Sequence, residues 1–134
     1  MKGLFPCGEL AADAGEEHRV TGTGRPATFD PEGARLHMGV DPEGFRRIFD
    51  CIWHEVAKRR TLLDEAYEAG DMTSVILQAH TIKSSAASIG ALGLGRAAAA
   101  VEEAARDGAT DALAAAMVRF HAAKETLSRL VGLG

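Results

Sequence analysis

The fold class of this chain can be read from residues 71–90, DMTSVILQAHTIKSSAASIG. Asp71 is suited to cap a helix, and Gly90 can take the positive φ that ends one, so the spacing predicts a helix to about Ile89. At 100° per residue, the apolar side chains that share one face within about 80° are Val75, Ala79, Ile82, Ala86 and Ile89. This stretch is therefore predicted to be an amphipathic helix with one face in a core.

Further helices are predicted on both sides of this segment. The tetrapeptide Asp-Pro-Glu-Gly occurs at residues 30–33 and 41–44, and each copy offers a capping carboxylate and a proline at the first helical position. The helix that begins at the first copy is short and ends near Gly39, whereas the helix from the second copy extends to Gly70. The last two helices are expected at residues 92–106 and 111–131.

Apolar residues mark the core-facing side of the two longest predicted helices. In the second helix they are Phe45, Ile48, Phe49, Ile52, Val56, Leu63, Ala66 and Tyr67. In the fifth helix they are Leu113, Met117, Phe120, Leu127 and Leu130. Alanine-rich helices with short connections pack side by side. We therefore predict an all-α fold, an antiparallel up-down four-helix bundle with a short extra N-terminal helix.

The chain divides into a tail and one domain. Residues 1–28 show no sustained period and contain the helix breaker GTGRP at 22–26, so we expect a flexible N-terminal tail. Residues 29–134 hold all the predicted helices and form the helical bundle domain. With 134 residues and a hydrophobic content of 46%, the chain has room for one buried core.

Charge and composition argue against several function classes. The net charge of −4, with both signs interspersed, provides no basic stripe for nucleic acid. No run approaches the roughly 18 to 20 apolar residues of a membrane span, and the opening residues 1–6 are too short for a signal peptide. Cys7 and Cys51 lack metal-ligand spacing, and Cys51 is expected to be a small buried thiol. We expect a monomeric cytoplasmic protein that uses neither nucleic acid nor a membrane.

His80 lies about 140° from Val75 on the central helix, so it is expected to point toward solvent. On position alone, a single exposed histidine on a helix is usually a solvated surface residue. The neighbouring side chains on the same side of the helix are those of Ile76, Leu77, Lys83, Ser84 and Ala87. All of them are small or apolar except the cationic Lys83. Small residues would allow another protein to approach the imidazole closely.

Residues 79–91, AHTIKSSAASIGA, resemble the signature of histidine phosphotransfer (HPt) domains of two-component phosphorelays. In that signature an Ala-His pair precedes an apolar residue, a lysine, a run of small residues and a glycine. The resemblance covers about residues 29–134. It implies that His80 is the phosphoacceptor, that Lys83 steadies the phosphoryl oxygens and that Gly90 makes a structural turn. One departure is Ser84, where the family often has glycine.

The chemistry that the resemblance implies needs few groups from this chain. A neutral imidazole can attack phosphorus with a ring lone pair, and the loose transition state of phosphoryl transfer is helped mainly by positioning and positive charge. In the family, the receiver domain supplies the aspartate and the bound Mg²⁺. We therefore expect a phosphocarrier without kinase activity or a cofactor of its own. Its expected partners are receiver domains of response regulators or of hybrid sensor histidine kinases.

Docking on a receiver is expected to use the apolar rim as well as the histidine. The predicted docking residues are Ile76, Leu77, Ser84 and Ala87. Such a transient contact would bury at most about 1,200 Å² in total. A place in the core is the alternative for Ile76 and Leu77, and for Leu77 the two interpretations stay open.

Other polar residues give weaker signals. His18, His37, His54 and His121 share no helical spacing that would make a metal site, and His121 is expected at the edge of the core. Glu102 and Glu103 are adjacent and so point apart on a helix, which led us to expect two solvated charges. Gln78 is expected to be a packing or solvent residue.

Three hypotheses about function remain at this stage. The first is a phosphorelay shuttle, the second is an adaptor bundle that binds a receiver or kinase without being phosphorylated, and the third is an enzyme or metal bundle with an unidentified site. His80 and Lys83, one turn apart, favour the first hypothesis, because an adaptor has no physical need for a nucleophile beside a cation. The sequence does not indicate the direction of phosphoryl flow or the particular partners.

Overall fold

The computed structural model describes residues 28–132, and all of its regular structure is helical. The helices are α1 (Pro31–Met38), α2 (Pro42–Ala69), α3 (Met72–Ser88), α4 (Leu92–Arg106) and α5 (Thr110–Val131). The prediction of an all-α fold is confirmed. The tail predicted for residues 1–28 lies, except for Thr28, outside the described residues, as does Cys7.

Side-chain caps explain where the first three helices begin. Asp30, Asp41 and Asp71 each accept a hydrogen bond from the backbone N–H three residues later, at 3.0, 2.7 and 3.2 Å. The predicted starts are therefore correct. The fifth helix begins at Thr110, one residue before the predicted position, and the third ends at Ser88, one residue early.

Gly90 sits where the chain turns between α3 and α4. Its φ is 82°, and a Cβ at this position would lie 2.3 Å from the carbonyl oxygen of Asp30. The backbone N–H of Asp30 in turn donates to the carbonyl oxygen of Gly90 at 2.8 Å. Only glycine fits both the backbone conformation and this close approach, which fastens the segment before α1 to the turn that follows α3.

The core lies between α3 and its neighbours, because α3 packs against α2 and α4, and α4 packs against α5. All five residues of the predicted α3 stripe are fully buried, which confirms that face. On α5, Leu113, Met117, Phe120 and Leu127 are buried as predicted. Trp53, which the predicted α2 stripe omitted, is also buried and stacks on Phe49 with centroids 6.0 Å apart.

Two burial predictions are wrong. Leu130 is 59% exposed, because it borders a hollow of about 350 Å³ between the start of α4 and the end of α5. Cys51 is also exposed, since two helical steps from the buried Phe49 turn it about 200° away from the core. No helix within residues 28–132 is both long enough and apolar enough to cross a membrane.

Candidate functional site

His80 lies on the outer side of α3, opposite the buried stripe. Its side chain is 53% exposed, whereas Ala79 beside it is fully buried. The placement of His80 toward solvent by helical periodicity is therefore correct. The imidazole is held against the bundle on one side and open on the other.

The imidazole is anchored by a carboxylate from the next helix. Nδ1 of His80 lies 3.2 Å from Oε2 of Glu102 on α4. The Glu102 side chain is only 9% exposed, so this contact is made at the seam between α3 and α4. Gly95 of α4 lies at the same seam, where a Cβ would be in ordinary van der Waals contact with the carbonyl oxygen of Lys83, 3.5 Å away.

Two cations share the same carboxylate. Nζ of Lys83 lies 3.1 Å from Oε1 of Glu102, and Nη2 of Arg106, one turn later on α4, lies 2.7 Å from Oε2. The side chains of Lys83 and Arg106 are 39% and 57% exposed, respectively. We call these four residues, His80, Lys83, Glu102 and Arg106, the His80 cluster.

Opposing effects set the charge of Glu102. Burial acts to raise the pKa of Glu102, but hydrogen bonds from Arg106 and Lys83 and the nearby charges of Lys83 and His80 lower that pKa below its usual value. The carboxyl group is therefore ionised at neutral pH and can only accept hydrogen bonds. In the neutral imidazole, the tautomer that can donate from Nδ1 to this carboxylate has its lone pair on Nε2, at the other end of the ring.

The expectation that Glu102 is a solvated charge is wrong, although the expectation for Glu103 is correct, because Glu103 is exposed. The two side chains do point apart, but that of Glu102 points into the seam with α3. One signal was available in the sequence. Glu102 falls on the buried face of α4 together with Ala98, Val101 and Ala105, and a charge on such a face requires partners.

The predicted docking residues lie around His80 with different degrees of burial. Leu77 is 55% exposed, so the core alternative for this residue is excluded. Ser84 is exposed, and Ala87 is partly buried. Ile76 is half-buried and packs against the core, so it offers only an edge to a partner.

The remaining polar residues lie apart from the His80 cluster. Gln78 is buried and accepts a hydrogen bond from Nη1 of Arg59 at 3.3 Å, which makes it a packing residue. His121 is exposed, pairs with Asp64 at 2.8 Å and packs edge-on against the buried ring of Phe120, which agrees with the expected position at the edge of the core. His37 and His54 are exposed, and His18 lies outside the described residues. Within residues 28–132, no three His, Cys, Asp or Glu residues are grouped as a metal would require.

Comparisons with known proteins bear on the identity of this helical chain. The family model for the Hpt domain matches residues 47–131, which include α3, α4 and the whole His80 cluster. Comparison with curated proteins and with solved structures gave no match. Hpt domains are phosphocarrier modules, and they interact with receiver domains or kinases in two-component phosphorelays. Because the match spans more than half of its length, the chain belongs to the Hpt domain family.

Proposed function

We propose that this chain accepts a phosphoryl group from the aspartate of one receiver domain on His80 and passes it to another receiver domain. The observation that carries the proposal is the exposed imidazole whose Nδ1 is bonded to the ionised Glu102, with Lys83 beside it. This arrangement provides a fixed nucleophile, with the lone pair of Nε2 turned outward. We propose a phosphocarrier without kinase activity.

The proposed transfer needs no general base. The lone pair of Nε2 forms the bond to phosphorus while the bond between phosphorus and the aspartate oxygen breaks, and the aspartate leaves as a carboxylate. The ring becomes a phosphoimidazolium whose proton on Nδ1 faces Glu102. The Lys83 ammonium, on the same side of α3, is proposed to stabilise the charge that develops on the phosphoryl oxygens.

The proposed docking surface surrounds His80 on α3. Leu77 supplies exposed apolar area, while Ser84 and Ala87 lie one and two turns after the histidine and leave room for a receiver loop. The partly buried Ile76 would contribute an edge of this surface. Mg²⁺ is proposed to bind to the receiver, and this chain is proposed to need no cofactor.

We also propose that α2 to α5 form an antiparallel up-down four-helix bundle with α1 as an extra helix. Residues that come later in α3 contact residues that come earlier in α4, since His80 bonds Glu102 and the carbonyl group of Lys83 lies beside Gly95. The same antiparallel order holds between α2 and α5. The ammonium of Lys124 lies over the ring of Trp53, whereas His121, earlier in α5, bonds Asp64, later in α2. The proposed domain is residues 29–134.

The chain is further proposed to act as a monomer in the cytoplasm, the compartment of the receivers it would serve, and to bind neither nucleic acid nor a membrane. Its net charge of −4 supports the exclusion of nucleic acid. The polar residues on the outer faces of the helices support the monomer.

The test is phosphoryl transfer from a panel of phosphorylated receiver domains to the purified chain. Label on the protein that is labile in acid and stable in base, and that is absent from His80→Gln, is the expected result. The variant should keep its helical circular dichroism, because the substituted side chain is half exposed. Binding of a receiver without any label would replace the proposal with the adaptor function.

A further inference from the structure

Glu102 holds the same two cations that a phosphoryl group on His80 would attract. Its Oε1 lies 3.1 Å from Lys83 Nζ, and its Oε2 lies 2.7 Å from Arg106 Nη2. Both cations are partly exposed on the side of the seam where His80 meets solvent. A phosphoryl group there carries its negative charge on peripheral oxygens. Glu102 and the phosphoryl group therefore compete for Lys83 and Arg106.

Glu102 also acts on the proton of the imidazole. Its Oε2 lies 3.2 Å from Nδ1, and its side chain is only 9% exposed, so that water screens this interaction weakly. When Nε2 is bonded to phosphorus, the positive charge of a protonated ring is stabilised by this carboxylate. A protonated ring is the better leaving group, because the electrons of the N–P bond return to a neutral imidazole and not to an anion.

Both effects make the N–P bond easier to break, because the first withholds cations from the phosphoryl oxygens and the second gives a neutral leaving group. We propose that Glu102 keeps phospho-His80 short-lived, so that the chain passes the phosphoryl group on and does not store it. This inference rests on the function proposed above and adds a regulator of the same site. Glu102 is a positioning residue here, because it acts through the ring and the two cations and does not contact phosphorus.

The onward step balances without an added acid. The carboxylate of the next receiver's aspartate forms a bond to phosphorus, the N–P bond breaks, and its electron pair returns to Nε2. The proton remains on Nδ1 throughout, held by Glu102. In a Glu102→Gln variant the side-chain amide can donate to Nδ1, which favours the unprotonated phosphorylated ring, and onward transfer must then obtain a proton from water.

The experiment compares three full-length proteins, the wild type, Glu102→Gln and Glu103→Gln, each phosphorylated by the same receiver, separated from it and mixed with a second, unphosphorylated receiver. Glu103→Gln is the matched control, because it removes the same charge from the adjacent, exposed position on α4. The rate constant of onward transfer to the second receiver should fall on the order of tenfold in Glu102→Gln, the effect of one charge-assisted hydrogen bond on the protonated leaving group. The control should match the wild type.

Two further readouts separate this role from a structural one. The half-life of the isolated phosphorylated protein should lengthen on the order of tenfold in Glu102→Gln, and ¹⁵N NMR of the ring should find Nδ1 protonated in the phosphorylated wild type but not in this variant. Arg106→Gln, a substitution at an exposed side chain, should shorten the half-life, because it removes a cation from the competition. This variant also tests the inference if Glu102→Gln fails to fold.

The outcomes distinguish this inference from the function on which it rests. A wild type that takes no label from any receiver would overturn the proposed function itself. A labelled wild type with the same onward-transfer rate, half-life and ring protonation as Glu102→Gln would overturn the role of Glu102 alone. A longer half-life in Arg106→Gln would also contradict it.

Discussion

Two histidines of this bundle bond a carboxylate on another helix, and only one of them lies in the segment that resembles the family signature. His80 on α3 contacts Glu102 on α4, and His121 on α5 contacts Asp64 on α2. Their side chains are similarly exposed, at 53% and 43%. Exposure and a carboxylate partner are therefore not what would make one of them a phosphoacceptor.

The two pairs differ in the ring nitrogen that is used. Glu102 engages Nδ1 of His80, the nitrogen nearest the backbone, and leaves Nε2 at the projecting end of the ring. Asp64 engages Nε2 of His121 and leaves Nδ1, the ring nitrogen nearer to the main chain. A phosphoryl donor needs an accessible lone pair, so the orientation of the ring decides between them.

The surroundings of the two rings differ as well. Near His80, Lys83 lies one turn away and the neighbouring Ser84 is small. His121 packs edge-on against the ring of Phe120 with centroids 5.5 Å apart. The lysine nearest to it in sequence, Lys124, is placed over the ring of Trp53 at 5.2 Å. The second site thus uses its histidine and lysine to join two helices.

Substitution of each of the two histidines is expected to give the largest difference in transferred phosphoryl label. His80→Gln should lose all transferred label, whereas His121→Gln should keep the wild-type amount, because its Nε2 is already occupied by Asp64. Acid-labile label on both variants after incubation with a phosphorylated receiver measures this. Label that disappears from His121→Gln would contradict the argument from ring orientation.

The fold was largely predictable because the signals that set helix ends are local. Asp30, Asp41 and Asp71 each cap the helix that follows within one turn, so these starts needed no tertiary information. The exposure of Cys51 also follows from helical periodicity, which turns it away from the buried Phe49. The exposure of Leu130 was not predictable in this way, because it depends on how neighbouring helices lie against α5, which no single period encodes.

The residues of the His80 cluster also differ in whether local sequence could identify them. His80 and Lys83 stand in one short motif, so the resemblance identified both as candidates. Glu102 stands 22 positions after His80, and only the packing of α3 on α4 brings its carboxylate to Nδ1. Adjacency to Glu103 indicates only that the two side chains point apart, whereas the burial of Glu102 depends on which face of α4 packs against α3.

The second-largest effect is expected for the two lysines. Lys83→Ala should slow phosphoryl transfer by at least about tenfold, because it removes a positive charge beside the reacting atoms. Lys124→Ala should leave the rate unchanged, since that lysine lies over Trp53 on the other pair of helices. Single-turnover transfer from one phosphorylated receiver gives both rates. Equal rates for Lys83→Ala and the wild type would remove the stabilising role of Lys83.

A smaller effect is expected for the exposed apolar residues. Leu77→Ser should weaken binding of a receiver roughly tenfold, because Leu77 is a 55% exposed leucine one turn from His80. Val118→Ser is the control, as Val118 is 70% exposed on α5, the helix of His121. Titration calorimetry with an unphosphorylated receiver measures both affinities. A larger loss in Val118→Ser would move the docking surface to α5.

The smallest effect concerns stability at low pH and separates the two carboxylates by their burial. Glu102 is 9% exposed and Asp64 is 31% exposed, so at pH 7 Glu102→Gln should lower the melting temperature more than Asp64→Asn does. The folded pKa of Glu102 is lowered by Arg106 and Lys83 against the opposing effect of burial. Its ionised form therefore stabilises the fold above the ordinary value of 4.5, and this contribution is lost as the pH falls through the lower folded pKa.

The melting temperatures of the wild type and of Glu102→Gln should accordingly converge as the pH is lowered from neutrality through the lowered folded pKa of Glu102, because protonation of Glu102 removes the charge that the substitution removes. Glu103→Gln, at the exposed neighbouring position, controls for the loss of a carboxylate from α4. A gap between wild type and Glu102→Gln that persists below that folded pKa would mean that shape and packing at the seam, and not the charge that orients His80, determine what Glu102 contributes.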